Sequence, residues 1–217
     1  MPRGIAYPEH DFRRELMQCQ YCFKSKTDGI TLSKCSGCKR DVYCSKECQR
    51  SAWPEHKSRC RMISQAKDGN DEQLAQNKKL LSTFMTKHQP ILCESAIRAL
   101  DLGNKPENAE RYFLAVHLSR RPGKHPPQSA FEVIRAEQTP YEIMGPEKAK
   151  IMMNERAQID QNNRRTGMDG TFFVVLYDSG SLARSALPVA YSKETTFKEP
   201  GPWKEMLFEC MNEGVVF

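Results

Sequence analysis

Eight potential metal ligands fall within residues 19–60 of this chain, and they fall in pairs. Cys19 and Cys22 form C-x2-C, and Cys35 and Cys38 form a second C-x2-C. Cys44 and Cys48 form C-x3-C, and His56 and Cys60 form H-x3-C. A tight turn brings two side chains three positions apart to one cation, and a helix does so for two that are four apart. Gly37, inside the second pair, fits such a turn because glycine tolerates a positive φ. Ser45 suits the N-cap of a helix carrying Cys48. Pro54 suits the first turn of a second helix carrying His56 and Cys60. Seven thiolates and one imidazole make eight ligands, hence two tetrahedral Zn2+ sites, one of four thiolates and one of three thiolates with the imidazole. Spacing alone leaves open which pairs share a metal. The apolar residues of the stretch are few: Tyr21, Phe23, Ile30, Leu32, Val42, Tyr43 and Trp53. Metal binding is therefore expected to supply most of its folding free energy.

Other uses of the cysteines fit less well. The chain has 217 residues and nine cysteines, an odd number, of which Cys93 and Cys210 lie outside the stretch. A secreted disulfide scaffold is disfavoured: Met1 to Asp11 holds no hydrophobic stretch of signal-peptide type, and no Asn-x-Ser/Thr sequon occurs. No apolar run approaches the ~18–20 residues that span a bilayer, so an intracellular chain of the nucleus or cytoplasm with no membrane association is expected. A redox C-x-x-C lacks its βαβ context and cannot account for four pairs.

Charge is as local as the cysteines. Between Cys19 and Arg61 there are 10 Lys/Arg and 4 Asp/Glu, a net of 10 − 4 = +6, which equals the net charge of the whole chain. Such an excess invites nucleic acid, with the ten cations from Lys24 to Arg61 as the contacts. Loaded metal sites supply a competing explanation. Seven thiolates and two Zn2+ sum to −7 + 4 = −3, which accounts for half of the excess and makes nucleic acid the weaker partner.

The full pattern, C-x2-C-x12-C-x2-C-x5-C-x3-C-x7-H-x3-C, resembles the MYND-type zinc finger. Cys35-Ser36-Gly37-Cys38, Tyr43-Cys44-Ser45-Lys46-Glu47-Cys48-Gln49 and Trp53-Pro54-Glu55-His56-Lys57 support the likeness, and a long gap between the first two pairs lengthens one loop. The resemblance implies cross-bracing, with Cys19, Cys22, Cys44 and Cys48 on one zinc and Cys35, Cys38, His56 and Cys60 on the other. It also implies a protein-interaction module that binds short Pro-rich peptides beside the second zinc site, with transcriptional regulation as one setting. At the matching positions, the groove residues are Ser36, Tyr43, Gln49 and Trp53. A Pro-rich ligand is already extended and loses little entropy on docking against an aromatic surface. Packing against the zinc helices is the competing role for Trp53.

The pattern downstream reads as an α+β domain. Helices are expected over Asp71–His88, Ile91–Leu102, Tyr141–Asn162 (starting near Pro146) and Trp203–Met211, and strands over Arg111–Ser119, Phe131–Glu137 and Thr171–Tyr177. Ala186–Tyr191 should return on the last of these strands as a hairpin. Arg120–Gln128, with three prolines and Gly123, reads as a loop. The division is thus 1–18 as an N-terminal extension, 19–60 as the finger and 61–217 as the α+β domain. No catalytic constellation stands out in that domain. Cys93 and Cys210 sit on helix faces as buried thiols, His88, His117 and His125 are isolated, and no phosphate loop or G-x-S-x-G occurs. Some lysine methyltransferases carry this finger inside a SET domain, but that arrangement needs SET sequence on both sides. Here 18 residues precede Cys19, and no Asn-His-x-Cys-like motif follows. The expectation is a non-enzymatic interaction protein, with a SET-type methyltransferase relative and a nucleic-acid-binding finger as the alternatives.

Overall fold

The computed structural model describes residues 18–39, 41–65, 72–181 and 183–216. Of the N-terminal extension, only Gln18 is among them, and Arg40 and Asp71 lie outside them.

The larger part of the chain folds around a four-stranded sheet. Its strands are β3 (Tyr112–Arg120), β4 (Phe131–Pro140), β5 (Gly170–Asp178) and β6 (Arg184–Tyr191), in the order β4-β3-β5-β6. β3 and β5 run parallel, and the two outer pairings are antiparallel. The expected hairpin is present, with Thr171 opposite Ala190 and Leu176 opposite Ser185. β5 is continuously apolar because both of its faces are covered. Phe172, Val174 and Leu176 point into one core and Phe173 and Val175 into another. β3 alternates in the same way, with Leu114, Val116 and Leu118 opposed to Phe113 and Ala115.

Helices α2 (Glu72–Lys87), α3 (Gln89–Ala99) and α6 (Trp203–Asn212) fill the first core with Leu81, Phe84, Ile91, Leu92, Leu207 and Met211. Helix α5 (Pro146–Arg165) lies on the other face, where Ala149, Met152 and Ile159 meet Phe113 and Phe173. A short turn of helix, α4 (Asn108–Arg111), leads into β3. The expected mixture of helices and strands is present, and its layering is more specific than the element order showed, since helices cover both sheet faces. Strand β4 carries a bulge opposite His117 and Leu118, which leaves Ile134 unpaired and half exposed. Beyond the bulge the inward positions shift from Phe131 and Val133 to Ala136.

The Cys-rich stretch contributes a two-residue hairpin, β1 (Ser33–Lys34) and β2 (Val42–Tyr43), and one helix, α1 (Lys46–Gln65). Two helices were expected here, split at Pro54. The structure has one, with Pro54 inside it. Proline removes one backbone donor and strains the turn before it. The helix is pinned on both sides of Pro54, because Cys48 packs into one Cys cluster and His56 and Cys60 into the other. It also runs past residue 60, through the boundary expected there.

The Cys-rich stretch docks on β6, an edge strand of the sheet. Gln18 donates its side-chain amide to the backbone oxygen of Ala190 at 3.0 Å in a buried contact. Next to it, Gln20, Asp41 and Val42 form a crevice with Met85, Thr86 and Gln89 and with Ala186 to Pro188 of β6. An uncovered strand edge is a site of unwanted pairing, and here one edge is partly covered by the chain's own N-terminal module.

Candidate metal centre

Each C-x-x-C pair forms the same knuckle. The N–H of Phe23 donates to the carbonyl of Cys19 at 3.0 Å, and the N–H of Lys39 donates to that of Cys35 at 3.0 Å. The positive φ needed to reverse the chain falls on Phe23 (58°) and Lys39 (60°), just after each pair. Gly37 is therefore not required for the reason its sequence position suggests. It is required by close approach: a Cβ there would lie 2.9 Å from Cys60 Sγ. Ser45 caps α1 as expected, its hydroxyl accepting from the N–H of Cys48 at 3.1 Å.

The side chains converge as two clusters, in each of which the candidate ligand atoms lie within 4.8 Å of one another. Cys19, Cys22, Cys44 and Cys48 make the first, and Cys35, Cys38, His56 and Cys60 the second. In the first, Cys44 Sγ is 3.5 Å from Cys22 Sγ and 3.4 Å from Cys48 Sγ. In the second, Cys35 Sγ is 3.9 Å from Cys60 Sγ, and His56 Nε2 is 3.4 Å from Cys35 Sγ and 3.6 Å from Cys38 Sγ. These separations test the fit. A tetrahedron with Zn–S bonds of about 2.3 Å has an edge of about 3.8 Å, whereas a disulfide would need about 2.05 Å. All nine cysteines are free thiols. Two clusters of this composition and size fit two zinc ions, and the interleaving ties both ends of the module together.

Electrostatics point the same way. Burial opposes ionisation of Cys44 and raises its pKa, and the neighbouring Cys48, Cys22 and Cys19 add to the effect. Cys60 is raised by burial and by Cys35. Four thiolates cannot gather in one place unless a cation offsets them. At Cys19 burial also acts upward, but hydrogen bonds from the backbone of Cys22, Cys44 and Tyr21 outweigh it and lower the pKa. At His56 burial disfavours the imidazolium. The Asp41 carboxylate and the Cys38 and Cys35 sulfurs overcome that and push its pKa up to about 11. Asp41 Oδ2 lies 3.0 Å from His56 Nδ1, and both side chains are buried. A carboxylate on the far nitrogen of a metal-binding histidine fixes its tautomer and leaves Nε2 free to bind.

A comparison with known families and proteins bears on this site. The family description "MYND finger" matches residues 19–60. Residues 19–60 are a MYND finger. The module is thus a zinc-binding protein-interaction finger. Relatives include a SET and MYND domain-containing protein of Dictyostelium discoideum, 35% identical over 80 residues, which are 34% of this chain and 15% of that protein. The N-lysine methyltransferase SMYD2 of Homo sapiens is 50% identical over 42 residues, 19% of this chain and 9% of the enzyme. SET domain-containing protein 14 of Caenorhabditis elegans is 49% identical over 43 residues, 20% of this chain and 10% of that protein. The chain thus spans between about a tenth and a seventh of the length of these relatives. No solved structure matches the chain.

The four positions matched to the family's peptide groove are placed differently by the fold. Trp53 is 41% exposed and forms the wall of an open cleft with Lys46, Gln49 and Arg50. Its indole meets the His56 ring edge-on, with centroids 6.0 Å apart. Gln49 lines the same cleft but turns its amide inward, Nε2 lying 3.4 Å from Cys35 Sγ. Tyr43 is 2% exposed and also packs edge-on against His56, centroids 5.9 Å apart. Ser36 is exposed, in the knuckle of the second cluster. Trp53 therefore both packs on the second cluster and faces solvent.

Sequence reasoning missed Asp41. Nothing in the pattern distinguishes it, since a single carboxylate three residues after Cys38 resembles any surface charge until the fold brings it to His56. Downstream, Cys93 and Cys210 are fully buried as expected, and burial raises the pKa of Cys93. His88 is buried, with Nε2 2.8 Å from the Gln128 carbonyl, and His117 is stacked on Tyr177. Among the described residues, no helix is long and apolar enough to cross a membrane.

Proposed function

We propose that this chain is a non-enzymatic adaptor whose MYND finger holds a Pro-rich segment of a partner protein against Trp53. In this reading Cys19, Cys22, Cys44 and Cys48 bind one zinc, and Cys35, Cys38, His56 and Cys60 bind the other. The observation that carries the proposal is the exposed indole of Trp53 in an open cleft, backed by a ring of the second cluster. An indole held in this way offers a rigid apolar face, and an extended Pro-rich chain docks on such a face at low entropic cost. Gln49 lines the cleft beside it, Tyr43 packs on the same His56 ring that backs the indole, and Ser36 is exposed in the second knuckle. The zinc ions are structural: every ligand position is filled by protein, which leaves no open position for catalysis.

The test is a titration of fluorescein-labelled Pro-rich peptides into the zinc-loaded chain. Trp53→Ala should weaken binding about tenfold or more, with zinc content staying at two per chain. Absence of any Trp53-dependent binding would refute the groove. The match to the N-lysine methyltransferase SMYD2 covers 42 residues, 9% of that enzyme, so the proposal takes up the finger's role and not the relatives' catalysis. Stoichiometric binding of S-adenosylmethionine would overturn the non-enzymatic reading. Nucleic-acid binding that falls steeply with salt would favour a polyanion partner instead.

A further inference from the structure

We propose that the partner segment is acidic as well as Pro-rich: the cleft beside Trp53 selects peptides that carry carboxylates a few residues from the docked proline. The inference rests on the reading above and adds the charge of the partner to it. Of the four side chains that line the cleft, two are cations, Lys46 and Arg50. Gln49 turns its amide toward Cys35 Sγ, which leaves the indole and the two cations as the chemistry facing a ligand.

Three observations make these cations available. Among the described residues, none of the ion pairs involves Lys46 or Arg50. The nearest acid in sequence, Glu47, is exposed, so its attraction for Lys46 and Arg50 is screened by water and leaves both cations open to a ligand. Finally, the zinc centres do not use up the finger's positive charge, since +6 − 3 leaves +3.

The spacing sets the ligand's pattern. Lys46, Arg50 and Trp53 lie at helical intervals of four and three, so they form one stripe along α1. At 1.5 Å per residue, Arg50 lies about 4.5 Å and Lys46 about 10 Å along the axis from Trp53. An extended Pro-rich chain advances about 3.1 Å per residue. Carboxylates between about one and four residues from the proline would reach the two cations.

The experiment uses the full zinc-loaded chain and three fluorescein-labelled dodecapeptides. One carries prolines with Asp and Glu two and three residues away, one replaces those acids with Asn and Gln, and one keeps the acids and replaces the prolines with Ser. Binding is read by anisotropy at low and moderate salt. The acidic Pro-rich peptide should bind about tenfold tighter than its neutral counterpart at low salt. That advantage should shrink with added salt and be lost in Lys46→Gln/Arg50→Gln, whose zinc content of two shows that the finger is folded. Equal affinity of acidic and neutral peptides, both dependent on Trp53, would refute this inference and leave the adaptor reading standing. If no peptide shows Trp53-dependent binding, the adaptor reading itself fails. If the proline-free acidic peptide binds as tightly as the Pro-rich one, or a single-stranded oligonucleotide displaces both, the cleft is a general anion surface and the inference is overturned.

Discussion

Removing the Asp41 carboxylate should weaken one zinc site and spare the other. Asp41 Oδ2 lies 3.0 Å from His56 Nδ1, and the two residues are 7% and 6% exposed. In Asp41→Ala, the Nδ1–H of a zinc-bound His56 loses its acceptor in a place that water reaches poorly. A buried donor left without a partner costs about 1–3 kcal/mol. Loss of such an outer partner ordinarily lowers metal affinity about 10- to 100-fold, or about 1.4–2.8 kcal/mol. The two routes agree, and the burial favours the upper half, so a loss of about 30-fold or more is expected at the second cluster. Asp41→Asn keeps a neutral acceptor in place and should lose less. The backbone oxygen of Asp41, which accepts from the N–H of Cys35 at 2.8 Å, is retained in both variants. The assay is competition with a chelator, followed by native mass spectrometry to count zinc per chain. The wild type should release its ions at similar chelator concentrations, whereas Asp41→Ala should pass through a one-zinc species at much lower chelator. Simultaneous loss of both ions in the variant, or an unchanged titration, would refute the role given to Asp41.

Two further outcomes follow from the geometry. Gly37→Ala places a Cβ 2.9 Å from Cys60 Sγ and should deplete zinc from the second cluster, read as one zinc per chain; full occupancy would show that the knuckle relaxes at little cost. Burial lowers the pKa of His88 against the opposing hydrogen bonds to the Gln128 and Val215 carbonyls. Its folded value lies below the unfolded value of about 6.5, so the unfolded chain binds the extra proton, and the stability held above pH ~6.5 is lost as the pH falls toward the folded value. Urea unfolding between pH 7 and pH 5, followed by Trp203 emission in a Trp53→Phe background, should show that decline. His88→Gln should flatten it, and an unchanged slope would assign the decline to other groups.

The elements were legible wherever a period was strong. The continuous apolar run of β5 and the alternation of β3 gave strands with nearly the observed bounds. The prolines at 122, 126 and 127 correctly marked a connection between β3 and β4. Layering was less legible, because α5 has a polar composition, and the few apolar contacts that seat it under Phe113 and Phe173 read as weak amphipathicity. The ligand pairs of the finger were legible because cysteine spacing encodes local geometry, whereas which pairs share a metal came from the family resemblance and is seen in the fold. The errors in the finger came where backbone and packing compete. Pro54 looked like a helix start yet stands inside α1, because the clusters pin the helix on either side of it. Gly37 looked like a turn glycine, yet what excludes a side chain there is the sulfur of Cys60.

What the sequence did not carry is the joint between the finger and the sheet. Gln18 and Ala190 are 172 positions apart, and neither belongs to a motif. Asp41 shows what that joint does physically. Its carboxylate faces His56 in the second cluster, its backbone oxygen holds the N–H of Cys35, and it lines the crevice against α2, α3 and β6. A module with so few apolar residues cannot build a core that would shield such a contact on its own. Docking on β6 helps exclude water from the Asp41–His56 pair, and a better shielded pair orients the imidazole more firmly. The second zinc site is therefore braced twice, by its ligands and by the sheet on which the finger rests. The aromatic wall built on that site, Trp53 against His56, inherits the same rigidity, and a rigid wall loses less entropy when a ligand settles on it.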